Sequence, residues 1–440
     1  IVRNDSDGAA ANITLDADGV TGVLTVNAAV STAAGDIAIT ADDDVSLTVS
    51  GDVTATGAGN VAVSADSDGV NDGVSGALTM ANGAVINGGI GTITLGADED
   101  ITLGGLTTAN TANASVIITS TSGAVVDGGD LDADIDANTT ANTSGARITA
   151  VTGIGTDANS IETTIETLSA TTASGDLHIR NTGEVDIITS GVDGVLITAG
   201  GPDDNITIAA SSPLNVDAAV TNTGGGDIIL AAEGQAEADD LSINTAVTAA
   251  GGNGSISLFA GDTITQAAGI AVTSAGSGAI SYAAGVDFNA GTQQAGLAAG
   301  GVSDITLNAT ATIASTSGNV TMTAADNVAI GAISTTGDVS ITADDNTFSL
   351  GNNVGAISEV LAAETAVITA GDLTLTAAQG IGSADDIDTD VTTVTATNST
   401  SGDINIFEVN GAGQALSVLG ATQATAGAIN IQTADGDLTI

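Results

Sequence analysis

The chain of 440 residues carries 53 acidic side chains against three arginines (Arg3, Arg147, Arg180) and no lysine, for a formal net charge of −50. That balance argues against nucleic acid and anionic membrane surfaces as partners, and no run approaches the ~18–20 apolar residues of a membrane span. Aromatics make up 1% of the chain and Cys and Trp are absent. The interior must therefore be narrow and built from Val, Ile, Leu and Ala, while 42% hydrophobic residues are too many for a disordered acidic polymer.

The predicted elements are short strands that follow one template. A glycine is followed by apolar residues at +2 and +4, a polar turn, and apolar residues at about +10 and often +12. The template fits at Gly35 (Ile37, Ile39, Val45, Leu47), Gly91 (Ile93, Leu95, Ile101, Leu103) and Gly175 (Leu177, Ile179, Val185, Ile187). It fits again at Gly254 (Ile256, Leu258, Ile264), Gly278 (Ile280, Tyr282, Phe288) and Gly371 (Leu373, Leu375, Ile381). Ser317–Leu350 states it twice in succession, with Gly318-Asn319-Val320-Thr321-Met322 returning nineteen positions later as Gly337-Asp338-Val339-Ser340-Ile341. The copies at Gly337 and Gly427 carry one extra turn residue.

Alternation with period two is that of a strand with one buried face. Its return about every twenty residues predicts an all-β chain, an elongated parallel β-solenoid with about 20 residues per coil. Glycine, Asn and Asp at the corners tolerate positive φ. No composition shift or Pro-rich hinge divides the chain, so residues 1–440 read as a single continuous solenoid. Residues 127–172 are the least regular part, and a short helix, a strand or a protruding loop would each suit Ser160–Leu168. Ile1 and the closing strand motif Gly436–Ile440 both read as ends within something longer.

The stacked Gly-Asp-Ile/Leu-x-Ile and Gly-Gly-x-Ile-x-Leu-x-Ala motifs, including Gly175-Asp176-Leu177-His178-Ile179 and Gly254-Ser255-Ile256-Ser257-Leu258, resemble the β-helical repeat region of filamentous-haemagglutinin-like bacterial surface proteins. That resemblance covers nearly the whole chain. It implies a right-handed parallel β-helix, export across the outer membrane and display outside the cell.

The residues with most chemical content are the clustered aspartates. Asp130, Asp132, Asp134 and Asp136 alternate, and in a strand they would share one face about 6.6–6.8 Å apart. Asp66, Asp68 and Asp72 form a second group, and Asp385, Asp386 and Asp388 a third. Hard oxygen donors at such spacing suit Ca2+, although neither an EF-hand loop nor the calcium-binding nonapeptide repeat is present. A rod of twenty-residue coils would be roughly 100 Å long, so its fifty net charges approach the linear charge density of duplex DNA and would gather divalent cations diffusely. Asp203-Asp204 and His178-Ile179-Arg180 are the only echoes of β-helix polysaccharide-degrading enzymes, and with so few cations and aromatic platforms no catalytic role is expected. Thr-x-Thr pairs do not fall at a constant template position, which argues against a flat ice-binding array. The expected role is structural: an acidic segment of an extracellular filament or fibre, stacking end to end on copies of itself or on further repeats. The alternative is the stalk of a cell-surface adhesin whose binding domain lies elsewhere.

Overall fold

The computed structural model describes all residues except 1, 5–10, 20, 67–75, 130, 138–142, 192–193, 235–238, 286, 290–291, 295–302, 346–352, 362–364 and 410–414. The chain divides into two compact units, Ile1–Ala210 and Ser211–Ile440. Each is a parallel β-solenoid, and no helix occurs among the described residues. Among the described residues a small hairpin, Asp287–Asn289 with Thr292–Gln294, is antiparallel. Ser160–Leu168 holds strand: Ile161–Thr164 is followed by the start of Thr167–Thr172.

In the first unit the coils as far as Ile135–Asp136 have three sides. The long side stacks Ile13–Ala17, Ile37–Ala41, Val61–Ser64, Ile93–Ala97 and Val116–Ser120. One short side stacks Leu24–Val26, Val45–Leu47, Leu78–Met80, Ile101–Leu103 and Val125–Asp127. The third stacks Val30–Thr32, Val53–Ala55, Val85–Asn87, Gly105–Thr107 and Ile135–Asp136. Registers are in phase, so like sits on like: Ile37, Val61, Ile93 and Val116 form one buried aliphatic column. Each such side chain contributes roughly 1.5–3 kcal/mol, and the column exists only because every coil has a neighbour.

The third side is absent from the two-pair sequence template, and it lengthens the coil. Ile13 pairs with Ile37, 24 residues on. The nineteen-residue step from Val320 to Val339 is among the shortest, and Ile280 to Val320 takes 40. About twenty residues per coil is thus too few. The third side was illegible because several of its strands bring a single large aliphatic residue, as Leu106 does between Gly105 and Thr107.

The template glycine also has a different reason from the one its position suggests. At Gly59 a Cβ would lie 2.0 Å from the Gly35 carbonyl oxygen of the preceding coil, and at Gly91 it would lie 2.1 Å from that of Gly59. The second unit repeats this, with Gly278 over Gly254 and Gly318 over Gly278, each at 2.0 Å. None of these glycines has positive φ. They are needed because successive corners approach too closely for any side chain. Gly175 and Gly402 do have positive φ, at 72° and 87°.

Each unit contains the same change of cross-section. At Leu177–Asn181 the two short sides fuse into one strand: Leu177 continues the line of Ile154, while Ile179 and Asn181 pair with Ile161 and Thr163. In the second unit Ile404 continues from Ile381, while Ile406 and Glu408 pair with Ile387 and Thr389. The sequence says so too: Gly153-Ile154-Gly155 and Ser174-Gly175-Asp176-Leu177 return 227 positions later as Gly380-Ile381-Gly382 and Ser401-Gly402-Asp403-Ile404.

Two glycine substitutions separate corner contact from strand entropy. Gly59→Ala is expected to destabilise by about 3 kcal/mol, the upper end for overpacking. Gly96→Ala, whose Cβ would meet only Ser64 Oγ at 3.6 Å, is expected to stabilise by about 0.5–1 kcal/mol. Urea unfolding midpoints of the two variants check both signs.

Candidate metal centre

One recurring set of aspartates has an architectural task that begins one residue before a strand. Asp36 Oδ1 accepts the backbone N–H of Asn60 at 2.8 Å, and Asn60 Oδ1 accepts that of Thr92 at 2.9 Å. One coil earlier, Asn12 Oδ1 accepts the N–H of Asp36 at 2.9 Å. The same bond joins Asp100 to Ala124, Asp227 to Ser255, Asp304 to Asn327 and Asp403 to Ala428, at 2.7–2.8 Å. A carboxylate or amide oxygen at the strand-opening position thus closes a corner N–H of the next coil that the strand ladder does not reach. This explains why Asp and Asn interchange there.

At one place the device is pushed into the interior. Asp134 opens the strand Ile135–Asp136, and its Oδ2 accepts the N–H of Glu162, the equivalent residue one coil on, at 3.0 Å. Asp127 ends Val125–Asp127 on the neighbouring short side. One carboxylate oxygen from each of Asp127, Asp134 and Glu162 lies within 4.8 Å of the others. Asp127 and Asp134 are buried, at 6% and 3% exposure, and Glu162 is half-buried.

Each carboxylate also has one oxygen held by the fold. Asp127 Oδ1 accepts Gly129 N–H at 2.9 Å, Asp134 Oδ2 accepts Glu162 N–H, and Glu162 Oε1 accepts Ser160 Oγ at 3.0 Å. Asp127 Oδ2 and Glu162 Oε2 remain buried without a hydrogen-bond partner. Burial, and next the charge of Asp127, push the Asp134 carboxyl up to about 9. Burial also raises Glu162, against the lowering influence of Arg180 one coil further along the column. Oriented carboxylates of this kind, with oxygen the only donor type, would suit a hard divalent cation.

The described members of the acidic run, Asp132, Asp134 and Asp136, do not share one strand face. Residues 131–134 are bent backbone, Asp132 and Asp136 are exposed, and only Asp134 turns inward. Asp130, Asp68 and Asp72 lie outside the described residues. Asp66 is half-buried at a turn with φ 52°. Asp385 is exposed, Asp386 half-buried and Asp388 buried, so the third group is likewise divided between surface and interior. His178 is 8% exposed; burial lowers its pKa, and Nε2 lies 3.5 Å from Asp157 Oδ1. Asp127 and Glu162 were not singled out in the sequence, since neither belongs to an alternating acidic run.

The duplicated region supplies a second version of this corner. Ile357–Glu359 stands where Val125–Asp127 stands, each passing its ladder to an Ile within Gly-Ile-Gly. Asp388 takes the place of Glu162 beside a threonine that pairs with an isoleucine of the side below, Thr389 to Ile368 as Thr163 to Ile135. The place of Asp134 is held by Val367: the Val367 N–H donates to Asp388 O at 2.9 Å, as Asp134 N–H does to Glu162 O at 2.9 Å. Glu359, one methylene longer than Asp127, then reaches the Asp388 N–H with Oε2 at 3.1 Å. Burial, followed by the charges of Asp388, Asp385 and Asp386, raises Glu359 to about 7.

Comparison with known proteins gives no relative: no family model, curated protein or solved structure matches the chain.

Two measurements follow from this chemistry. Asp36→Ala should cost about 1 kcal/mol by leaving the Asn60 N–H without its acceptor, whereas Asp36→Asn, which keeps the acceptor, should be near neutral in thermal melts. Glu359 holds its proton more tightly folded than unfolded, so its contribution is present below pH 4.5 and is lost as pH rises through about 7. Melting temperature should therefore fall across that window, and Glu359→Gln should flatten the fall.

Proposed function

We propose that the chain is a structural solenoid segment of an extracellular bacterial filament or surface fibre, serving as a stiff acidic spacer that binds copies of itself or further coils at its ends and gathers divalent cations along its sides. The resemblance to filamentous-haemagglutinin-like repeats supports a setting outside the cell. So does a lysine-free sequence, which offers trypsin only three arginines.

The observation that carries this reading is the coil that holds Ile429–Thr433 and Leu438–Thr439. Ile429 pairs with Ile404 and Leu438 with Leu416. Their partners are wholly buried, yet Ile429 and Leu438 are 45% and 41% exposed. These side chains stand on the core columns of the coils before them and are covered from one side. A strand edge with apolar core residues at its rim is a template for another coil. Such a coil could come from the same polypeptide or from another copy.

Electron microscopy of the isolated 440 residues at rising concentration tests the proposal. End-to-end polymers are expected, and Ile429→Asp combined with Leu438→Asp should shorten them. Persistent single particles at every concentration would overturn self-stacking and favour the stalk of an adhesin.

A further inference from the structure

We propose that Asp127, Asp134 and Glu162 bind a single calcium-class divalent cation that clamps two successive coils of the solenoid, independently of the diffuse ions held by the acidic surface. The argument starts from what the fold requires at this corner. Its duplicate folds with Val367 where Asp134 stands, and Val367 makes the same backbone hydrogen bond to the next coil. A third carboxylate is therefore not needed to build the turn, since in the duplicate Glu359 alone accepts the N–H that Asp134 accepts here.

Its presence is costly, since like charges in a buried site repel and each loses water. A proton on Asp134 answers only part of that cost. It supplies one donor, while Asp127 Oδ2 and Glu162 Oε2 are both buried and both without one. A divalent cation satisfies both acceptors at once. The three oxygens lie within 4.8 Å of one another, close enough for one ion to draw them onto calcium–oxygen distances of about 2.3–2.6 Å with small side-chain shifts. The Gly129 N–H, the Glu162 N–H and the Ser160 hydroxyl already hold the opposite oxygens, so the ligands are oriented before the ion arrives. Arg180 follows Glu162 along the column. It relieves part of the charge from one side and leaves the Asp127–Asp134 side, where both groups are most buried, to the ion.

The test is calcium titration by calorimetry on chelator-stripped protein in physiological potassium chloride, which suppresses the diffuse component. Wild type should show one saturable calcium per chain and a calcium-dependent rise in melting temperature. Asp134→Val combined with Asp127→Glu, copying the duplicate corner, should remain folded by circular dichroism and lose the saturable component, as should Asp134→Val alone. Asp127→Asn should lose it as well, in case the valine disturbs the turn, while Asp132→Asn at the exposed neighbour should keep it. Wild-type and Asp134→Val titrations that coincide would overturn the proposal, as would a wild type that takes up no saturable calcium. A melting temperature that responds to pH but not to calcium would assign the site to a shared proton and overturn it equally.

Discussion

Successive coils of this chain must cross the same corner about 4.8 Å apart, and that separation dictates most of what the sequence contains. It leaves no room for a Cβ where Gly91 passes over Gly59, or Gly318 over Gly278. It brings the residue after each such glycine within hydrogen-bond reach of its own counterpart one coil on. An Asp or Asn there ties coil to coil outside the strand ladder, as Asp36 does to Asn60. Part of the acidity is thus a by-product of corner chemistry, because the short acceptor that fits can be a carboxylate. Choosing Asp over Asn at these corners adds to the net charge and favours solubility over cohesion.

Inside the solenoid the same acceptor becomes a liability, and the two versions of one corner show two ways of handling it. At Glu359 and Asp388 a longer side chain replaces a second acceptor and a valine fills the vacated place, so two carboxyl groups share the corner. At Asp127, Asp134 and Glu162 there are three, and burial dominates the rise of Asp134. A related exchange occurs deeper in the fused strand. Asn181 accepts from Thr163 Oγ1 and Ile165 N–H and donates to the carbonyls of Ile165, Gly183 and Glu184. Its counterpart Glu408 accepts from Thr389 Oγ1 and Val391 N–H. An amide has donors for the turn as well as acceptors for the strand. A carboxylate has acceptors alone.

The parallel solenoid was legible because its signal is periodic and apolar. The positions Ile37, Ile39, Val45 and Leu47 read from the template are all core residues. Coil length was misread because the third side carries its core on isolated residues such as Leu106, flanked by polar ones, at offsets that vary with the turns. The acidic cluster was half visible. Asp134 stood out in an alternating run, but alternation implied a strand, and the chain bends there instead. Its partners come from 7 residues before and 28 after, a distance set by coil length rather than by any local motif. The duplication was present in the sequence, and with one residue fewer between Gly-Ile-Gly and the following strand it sets Asp388, 226 positions on, at the place of Glu162.

That duplication bears on how such a chain can change in length. The coil before Leu177 and the coil before Ile404 present the same Gly-Ile-Gly corner, the same opening aspartate and the same fused strand. Recombination between these points would add or remove 227 residues while the Gly-Ile-Gly ladder and the pairing of the fused strand with the side before it were kept. Length in such a molecule can be inherited in whole blocks, separately from the sequence that makes each block fold.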